Sequence, residues 1–171
     1  MGFLNLNGWK KNLIWGFEVI KTSNLPCYLE GVKNKKTIKD WKLSGIKFVD
    51  KKSLKNLPLS IQTSLLMPKG EYGPKFLVTN NFYVLKKYNF SDFYALYVGT
   101  LANLIEGKKI FHSKWKKTTK LNYNKILKLQ NLLSENGFYV GKLDGLIGFK
   151  TRRAIGKYQE NIGQKITCYP N

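Results

Sequence analysis

A short segment of the sequence carries side chains suited to holding a sugar: Tyr88, Asn89, Ser91 and Tyr94. Aromatic faces stack on sugar rings, and an amide donates and accepts hydrogen bonds toward hydroxyl and N-acetyl groups. The spacing predicts that these residues lie together where one helix ends and another begins. A structural alternative stays open, in which Tyr94 belongs to the core and Ser91 merely caps the second helix.

A second group of candidate residues surrounds a short loop between two apolar-periodic segments. The segment from Ile126 to Leu133 has the spacing of a helix and ends at Asn136-Gly137. The segment after the loop has the same periodicity. The candidate binding residues here are Asp144, Gly145, Gly148, Thr151, Tyr158 and Gln159. Among them, Asp144 suits a turn because its carboxylate can accept hydrogen bonds from nearby backbone amides.

Residues for metal binding or nucleophilic catalysis are sparse. Cys27 and Cys168 are far apart and form no C-x-x-C pair, so they indicate neither a metal site nor a redox motif, and their pairing is left open. His112 is the only histidine and lacks the partners that a zinc site or a Ser-His-Asp triad requires. We expect it to be a solvated side chain. The sequence predicts no metal site and no cofactor.

The charge of the chain suggests a polyanionic partner. Thirty basic and ten acidic residues give the 171-residue chain a net charge of +20. Nucleic acid is the first class that such a charge suggests. However, the only arginines are Arg152 and Arg153, and the lysines are scattered rather than gathered in one run. We therefore expect no nucleic acid, and an anionic cell-wall polymer would suit the same charge.

Local patterns divide the chain into three regions. Residues 1–107 are rich in aromatic residues and contain short strand-like runs bounded by turn residues, for example 15–21 and 75–78. Residues 108–122 are basic and mostly polar, which is typical of a linker. Residues 123–171 are the helical region that carries the loop described above.

Two adjoining helices complete the first region, which is therefore α+β. Thr79 or Asn80 would cap a helix that runs through Tyr88, and Ser91 would cap the next helix, with Asp92 at its positive end. Gly107 can close this second helix. Its apolar stripe consists of Tyr94, Tyr97, Val98, Leu101, Leu104 and Ile105.

The loop and its flanking helices resemble a small three-helix peptidoglycan-binding domain found on bacterial wall enzymes. The family pattern is L-x-x-x-G-F/Y, then D-G-x-x-G-x-x-T, then a helix that ends in F/Y-Q. Residues 133–138, 144–151 and 158–159 match it in order and spacing. Phe149 departs from the pattern, since the family often has proline there. The resemblance implies a small all-α module that binds peptidoglycan.

Residues 76–96, FLVTNNFYVLKKYNFSDFYAL, resemble a signature of the membrane-bound lytic murein transglycosylase B family. That signature reads F-L-v-x-x-N-F-x-v-I-x-x-Y-N-x-S-x-x-Y-A-x-x-V. The resemblance implies that residues 1–107 are the C-terminal part of a lysozyme-like transglycosylase domain with a small β subdomain. It also implies that Tyr88, Asn89 and Tyr94 lie near the catalytic centre, in a groove that binds substrate.

The resemblance implies a reaction whose acid this sequence lacks. In that family a glutamic acid, in an E-S-x-F-G-type motif, protonates the glycosidic oxygen between N-acetylmuramic acid and N-acetylglucosamine. The muramyl 6-hydroxyl then closes a 1,6-anhydro ring. No such motif occurs here, and nothing in the sequence favours Glu18 for that role. We therefore expect no catalytic residue in this chain and no activity from the isolated chain.

The leading hypothesis is a truncated lytic murein transglycosylase that binds peptidoglycan. The alternatives are a non-catalytic peptidoglycan-binding protein and a basic nucleic-acid-binding protein. The sequence has no secretory signal and no run of ~18 apolar residues, so membrane anchoring would need a missing N-terminal segment. The full-length family protein would be periplasmic or associated with the outer membrane. We expect exposed apolar surface at Phe3, Leu4, Leu6 and the Tyr94 side of its helix, with Tyr88 and Asn89 at the rim.

Overall fold

The computed structural model describes residues 2–22, 25–50, 57–108 and 111–170, and it shows the expected mixture of helices and sheet. Parts of all three regions predicted from sequence, namely Met1, 23–24, 51–56, 109–110 and Asn171, lie outside the described residues. The strands are β1 Gly16–Lys21, β2 Lys36–Thr37, β3 Ile46–Phe48, β4 Gln62–Leu66 and β5 Lys75–Val78. The helices are α1 Phe3–Leu6, α2 Ile38–Leu43, α3 Asn80–Tyr88, α4 Asp92–Ile105, α5 Tyr123–Glu135 and α6 Phe149–Asn161.

The five strands form one antiparallel sheet in the order β2-β4-β5-β1-β3. Successive side chains of a strand point to opposite faces, so Leu65 and Leu77 join one core while Leu66 and Phe76 join the other. The first core includes Trp41 of α2, and the second is covered by α3 and α4. Because both faces are buried, the sheet is a rigid base for the junction between α3 and α4.

Helix α4 lies against the sheet through Leu96 and several small residues. Ala95, Gly99 and Thr100 are buried. A Cβ built on Gly99 would lie 2.6 Å from the Trp15 ring, so only glycine allows this close approach. Of the predicted apolar stripe, Val98 packs against this core, whereas Tyr97 is 65% exposed. The expected exposure is therefore confirmed for Phe3, Leu4 and Leu6 and for part of this side of the helix, whereas Tyr94 is half-buried.

Helices α5 and α6 form a second unit with its own small core. Leu133 and Val140 pack with Ala154 and Ile155 of α6. Gly137 takes a positive φ of 81° and ends α5, as the Asn-Gly pair predicted. Within residues 111–170 this unit contains two α-helices, and the third helix implied by the family resemblance is replaced by turns and irregular chain.

This helical unit is joined to the sheet unit by more than the linker. Cys27, in a 3₁₀ turn after β1, forms a disulfide with Cys168. The hydroxyl of Tyr28 donates to a carboxylate oxygen of Glu160 at 2.8 Å. The N–H of Glu71 donates to the carbonyl of Thr167 at 2.9 Å. The two units therefore share a fixed interface. Among the described helices, none combines the length and the apolar character needed to cross a bilayer.

Candidate functional site

The turn between α3 and α4 is built by the side chains that the sequence analysis singled out. The N–H of Ser91 donates to Oδ1 of Asn89 at 3.0 Å, and the N–H of Tyr94 donates to Oγ of Ser91 at 3.3 Å. Ser91 therefore caps α4, which supports the structural alternative for this residue. Asn89 has extended backbone (φ −145°, ψ 123°), so the chain turns sharply after Tyr88.

A partly exposed group of aromatic rings, hereafter the aromatic platform, consists of the exposed Phe3 and Tyr88 and the half-buried Tyr94. The rings of Tyr88 and Tyr94 stack with centroids 6.0 Å apart and planes 20° apart. Phe3 contacts Tyr88 edge-on at 5.6 Å. Tyr88 is 70% exposed, and the neighbouring Asn89 is exposed too. The platform thus offers aromatic surface and an amide side by side, which is the chemistry for binding a sugar.

The carboxylate closest in sequence to the platform is held in ion pairs. Asp92 accepts from Nη2 of Arg152 at 2.7 Å and pairs with Lys86 through its other oxygen. Burial raises the pKa of Asp92, but the charges of Arg152 and Lys86 outweigh burial and hold that pKa below its ordinary value. Asp92 therefore stays ionised and cannot act as a proton donor near neutral pH.

Arg152 is shared by two buried carboxylates. Its Nε donates to the two carboxylate oxygens of Glu30 at 2.9 and 3.2 Å, and its Nη1 donates to the carbonyl of Ile147 at 3.0 Å. Burial would lower the pKa of Arg152, but Glu30 and Asp92 outweigh burial and raise it. Burial raises the pKa of Glu30, and Arg152 opposes that rise. Arg152 thus remains a cation inside the interface.

Glu18 holds the linker on the sheet. Its two carboxylate oxygens accept from the N–H groups of His112 and Ser113 at 2.6 and 2.7 Å. The His112 side chain is exposed, which confirms the expected solvated histidine. This anchor places Phe111 and Trp115 over α4, where they close an apolar cleft of about 390 Å³. The cleft is lined by Phe93, Leu96, Tyr97, Thr100, Leu101, Leu104, Phe111 and Trp115.

The loop of the helical unit is organised by Gln130, a residue that the sequence analysis did not select. Its buried Oε1 accepts from the N–H groups of Asp144 and Gly145, at 3.0 and 2.9 Å. Its Nε2 donates to Oγ1 of Thr151 at 3.1 Å and to the carbonyl of Leu146 at 3.0 Å. A lone polar residue within an apolar helical stripe was the available signal. Thr151 is buried against it and supports the loop from inside.

The other loop residues divide into supporting and accessible ones. Asp144 is exposed, and its Oδ1 accepts from the N–H of Leu146 at 3.0 Å, as expected for a turn residue. Gly145 is buried with a φ of 65°, and a Cβ there would lie 2.3 Å from the Tyr123 ring. Gly148 is exposed and caps α6.

Tyr158 and Gln159 have different surroundings at the end of α6. Tyr158 is partly exposed and contacts Phe138 edge-on at 5.7 Å. Gln159 is buried, and its Oε1 accepts from the N–H groups of Thr167 and Cys168 at 2.8 and 3.0 Å. Gln159 therefore holds the C-terminal segment. Across residues 2–170, the described histidines, cysteines and acids form no group of three that could hold a metal ion.

Comparisons with known proteins connect both units to the bacterial cell wall. Residues 2–103 match the family model for the transglycosylase SLT domain, and residues 122–171 match a peptidoglycan binding domain. Two crystal structures of SltB3 from Pseudomonas aeruginosa are 35% and 34% identical to the chain and cover 99% of it, with TM-scores of 0.81 and 0.84. They are complexes with NAG-anhNAM-pentapeptide and NAG-NAM-pentapeptide. The chain spans 45% and 46% of their lengths. No curated protein matches it.

Proposed function

Because the chain belongs to the SLT transglycosylase family and carries a peptidoglycan-binding domain, we propose that its aromatic platform binds the glycan strands of peptidoglycan. One observation carries this proposal: the exposed Tyr88 stacks on the half-buried Tyr94, beside the exposed Asn89, at a junction of two helices. Aromatic side chains left exposed in this way provide a surface for the apolar face of a sugar ring.

The reaction we propose for the full-length protein is cleavage of the MurNAc–GlcNAc bond with formation of 1,6-anhydromuramic acid. A carboxylic acid would protonate the glycosidic oxygen as the C1–O bond breaks. The carboxylate formed would accept the proton of the muramyl 6-hydroxyl as that oxygen bonds to C1. Support comes from the family and from the anhydro ligand held by SltB3. Asp92 and Glu18 are committed to other partners, so we propose that a further segment of the catalytic domain supplies the acid.

The exposed apolar side chains near the platform give that segment a place to bind. Phe3 and Leu6 are exposed, and so are several apolar side chains of α4 that line the cleft. Exposed apolar side chains that form a patch mark an interaction site. We propose that this surface packs against the part of the catalytic domain that carries the acid.

We further propose that the protein acts in the periplasm or at the outer membrane. The Cys27–Cys168 disulfide supports this, because disulfides persist in oxidising compartments and are rare in the cytosol. A non-catalytic wall-binding protein is the second candidate function. The engagement of Asp92 by Arg152 and Lys86 favours it, since that acid cannot serve the platform.

The binding proposal is tested by titrating the whole chain with NAG-NAM-pentapeptide in a calorimeter. Tyr88→Ala and Tyr94→Ala should each weaken binding at least about fivefold, since a ring contact of this kind contributes about 1 kcal/mol beyond its buried area. Tyr97→Ala is the matched control, because Tyr97 is exposed on the same helix but lies in the cleft. The proposal would be overturned if all three variants bound NAG-NAM-pentapeptide with the same affinity. It would also be overturned if the chain bound DNA in a salt-sensitive manner and did not bind the muropeptide.

The catalytic proposal is tested on purified peptidoglycan by mass spectrometry of the released muropeptides. The isolated chain should release no 1,6-anhydro product, whereas a protein that also contains an SLT catalytic segment should release it. If the isolated chain releases 1,6-anhydro product and the Glu18→Gln variant does not, the catalytic acid is Glu18 of this chain. A longer protein that binds muropeptides but never cleaves them would favour the non-catalytic candidate.

A further inference from the structure

Arg152 connects the peptidoglycan-binding domain to the junction that carries the aromatic platform. It lies on α6, is 1% exposed in its side chain, and uses its three nitrogens on partners from three parts of the chain. These partners are Ile147 in the loop, Glu30 beyond the 3₁₀ turn and Asp92 at the start of α4. A planar guanidinium is suited to such simultaneous contacts, which a lysine ammonium cannot reproduce.

Asp92, which Arg152 contacts, lies close in the chain to the residues of the aromatic platform. Asp92 follows the cap Ser91, and its second oxygen pairs with Lys86 on α3. Lys86 lies two residues before Tyr88, and Asp92 lies two residues before Tyr94. The Lys86–Asp92 pair therefore closes the base of the turn whose two sides carry the stacked rings. Arg152 fixes the oxygen of Asp92 that Lys86 leaves free.

From this geometry we infer that Arg152 is a positioning residue: through Asp92 it fixes the α3–α4 junction, so that glycan affinity at the platform depends on docking of the peptidoglycan-binding domain. The inference rests on the proposed function. The domain is then part of the site's support rather than only a tether to the wall. Because coupling between two sites is reciprocal, a ligand on the platform would in turn favour the docked arrangement.

The test compares Arg152→Lys with Tyr28→Phe in the whole chain. Lysine keeps the charge of Arg152 but loses the fork that reaches Glu30 and Asp92 together. Tyr28→Phe removes the hydrogen bond to Glu160 at the same interface and leaves Asp92 untouched. We expect Arg152→Lys to weaken binding of NAG-NAM-pentapeptide about tenfold, and Tyr28→Phe to leave it unchanged. A folded Arg152→Lys variant with wild-type affinity would overturn the inference.

A ligand-free measurement separates this inference from the proposed function. Hydrogen exchange at the Ser91 and Tyr94 amides, which hold the turn, should become about tenfold faster in Arg152→Lys and stay unchanged in Tyr28→Phe. If the wild-type chain fails to bind the muropeptide while exchange changes as expected, the proposed function fails and the positioning role stands. Unchanged exchange at both amides in Arg152→Lys refutes the positioning role.

Discussion

At the scale of single residues, Asp92 has three structural roles, and the sequence alone indicates only one of them. It begins α4, pairs with Lys86 of the preceding helix, and receives Arg152 from the peptidoglycan-binding domain. Its sequence position predicted the first role, since an acid suits the positive end of a helix. The contact with Arg152 joins residues 60 positions apart, and no local spacing indicates it.

The lowered pKa of Asp92 gives its contribution to stability a defined pH dependence. Since the folded-state pKa lies below the unfolded value of about 3.9, the charged form stabilises the fold above that value. The contribution is lost as pH falls through the folded-state pKa. We expect Asp92→Asn to lower the free energy of unfolding by about 3 kcal/mol at pH 7. In urea titrations, the difference in unfolding free energy between Asp92→Asn and the wild type should become steadily smaller below about pH 4.

A suitable comparison for that series is Glu106→Gln, which removes an exposed ion pair with Lys108. Exposed ion pairs contribute little to stability, so the unfolding free energy of this variant should match that of the wild type at every pH. If the difference in unfolding free energy between Asp92→Asn and the wild type stays constant down to the lowest pH, folding does not preferentially stabilise the ionised form of Asp92.

Residue-level predictions succeeded where the partner is local. Ser91 caps α4 and Asp144 supports its turn, because each bonds to backbone within three positions. Gln130 was missed because its partners lie 14 to 21 positions away, across a loop whose path the sequence does not show. The sugar-binding roles of Tyr88, Asn89 and Tyr94 stay predictions.

At the scale of elements, the sequence predicted helix and strand positions closely but not how they dock. The predicted strand at 75–78 and the helix ending at Tyr88 agree with β5 and α3. Hydropathy did not identify the buried face of α4, because Gly99 and Thr100 give little apolar signal. Their value lies in size, which allows the helix to approach Trp15. The 3₁₀ turns and α2 were not predicted, since such short elements carry little periodicity.

The position of the linker depends in part on one side chain, Glu18, and in part on the N–H of Lys116, which donates to the carbonyl of Tyr72 at 2.8 Å. In Glu18→Gln, one of the two acceptors becomes a donor that faces a backbone N–H, so the anchor at His112 and Ser113 weakens. We expect a loss of about 1–2 kcal/mol in unfolding free energy. Trp115 should become more exposed and its fluorescence should shift to longer wavelength. A Trp115→Phe background, which removes this reporter, should abolish the shift, and a shift that persists would place its origin elsewhere.

At the scale of the whole molecule, the two units are more closely joined than the basic linker suggested. The sequence predicted that residues 123–171 fold and bind peptidoglycan alone, and that stays a prediction. Cut from the sheet unit, however, this domain would leave Arg152 without Glu30 and Asp92, and Cys168 without Cys27. The isolated domain would lose this disulfide and these interface contacts, so we expect it to be less stable than the docked one.

The disulfide should make a large contribution to the stability of the whole chain. It joins residues 141 positions apart, and the chain-entropy account assigns about 5 kcal/mol to a loop of this size. The Cys27→Ser, Cys168→Ser double variant should therefore unfold at much lower urea concentration than the oxidised protein. The reduced wild-type protein should unfold at the same urea concentration as the double variant. A difference under about 1 kcal/mol would mean that the noncovalent contacts maintain the interface without the disulfide.

Cys27 and Cys168 also turn almost the entire polypeptide into a covalent ring, and the basic linker is part of that ring. A protease that nicks the ring once between 111 and 122 would open it without dividing the molecule. The wall-binding domain would remain attached to the sheet unit through sulfur, as a two-chain protein. Cleavage within this lysine-rich segment would therefore leave the two units of the protein joined.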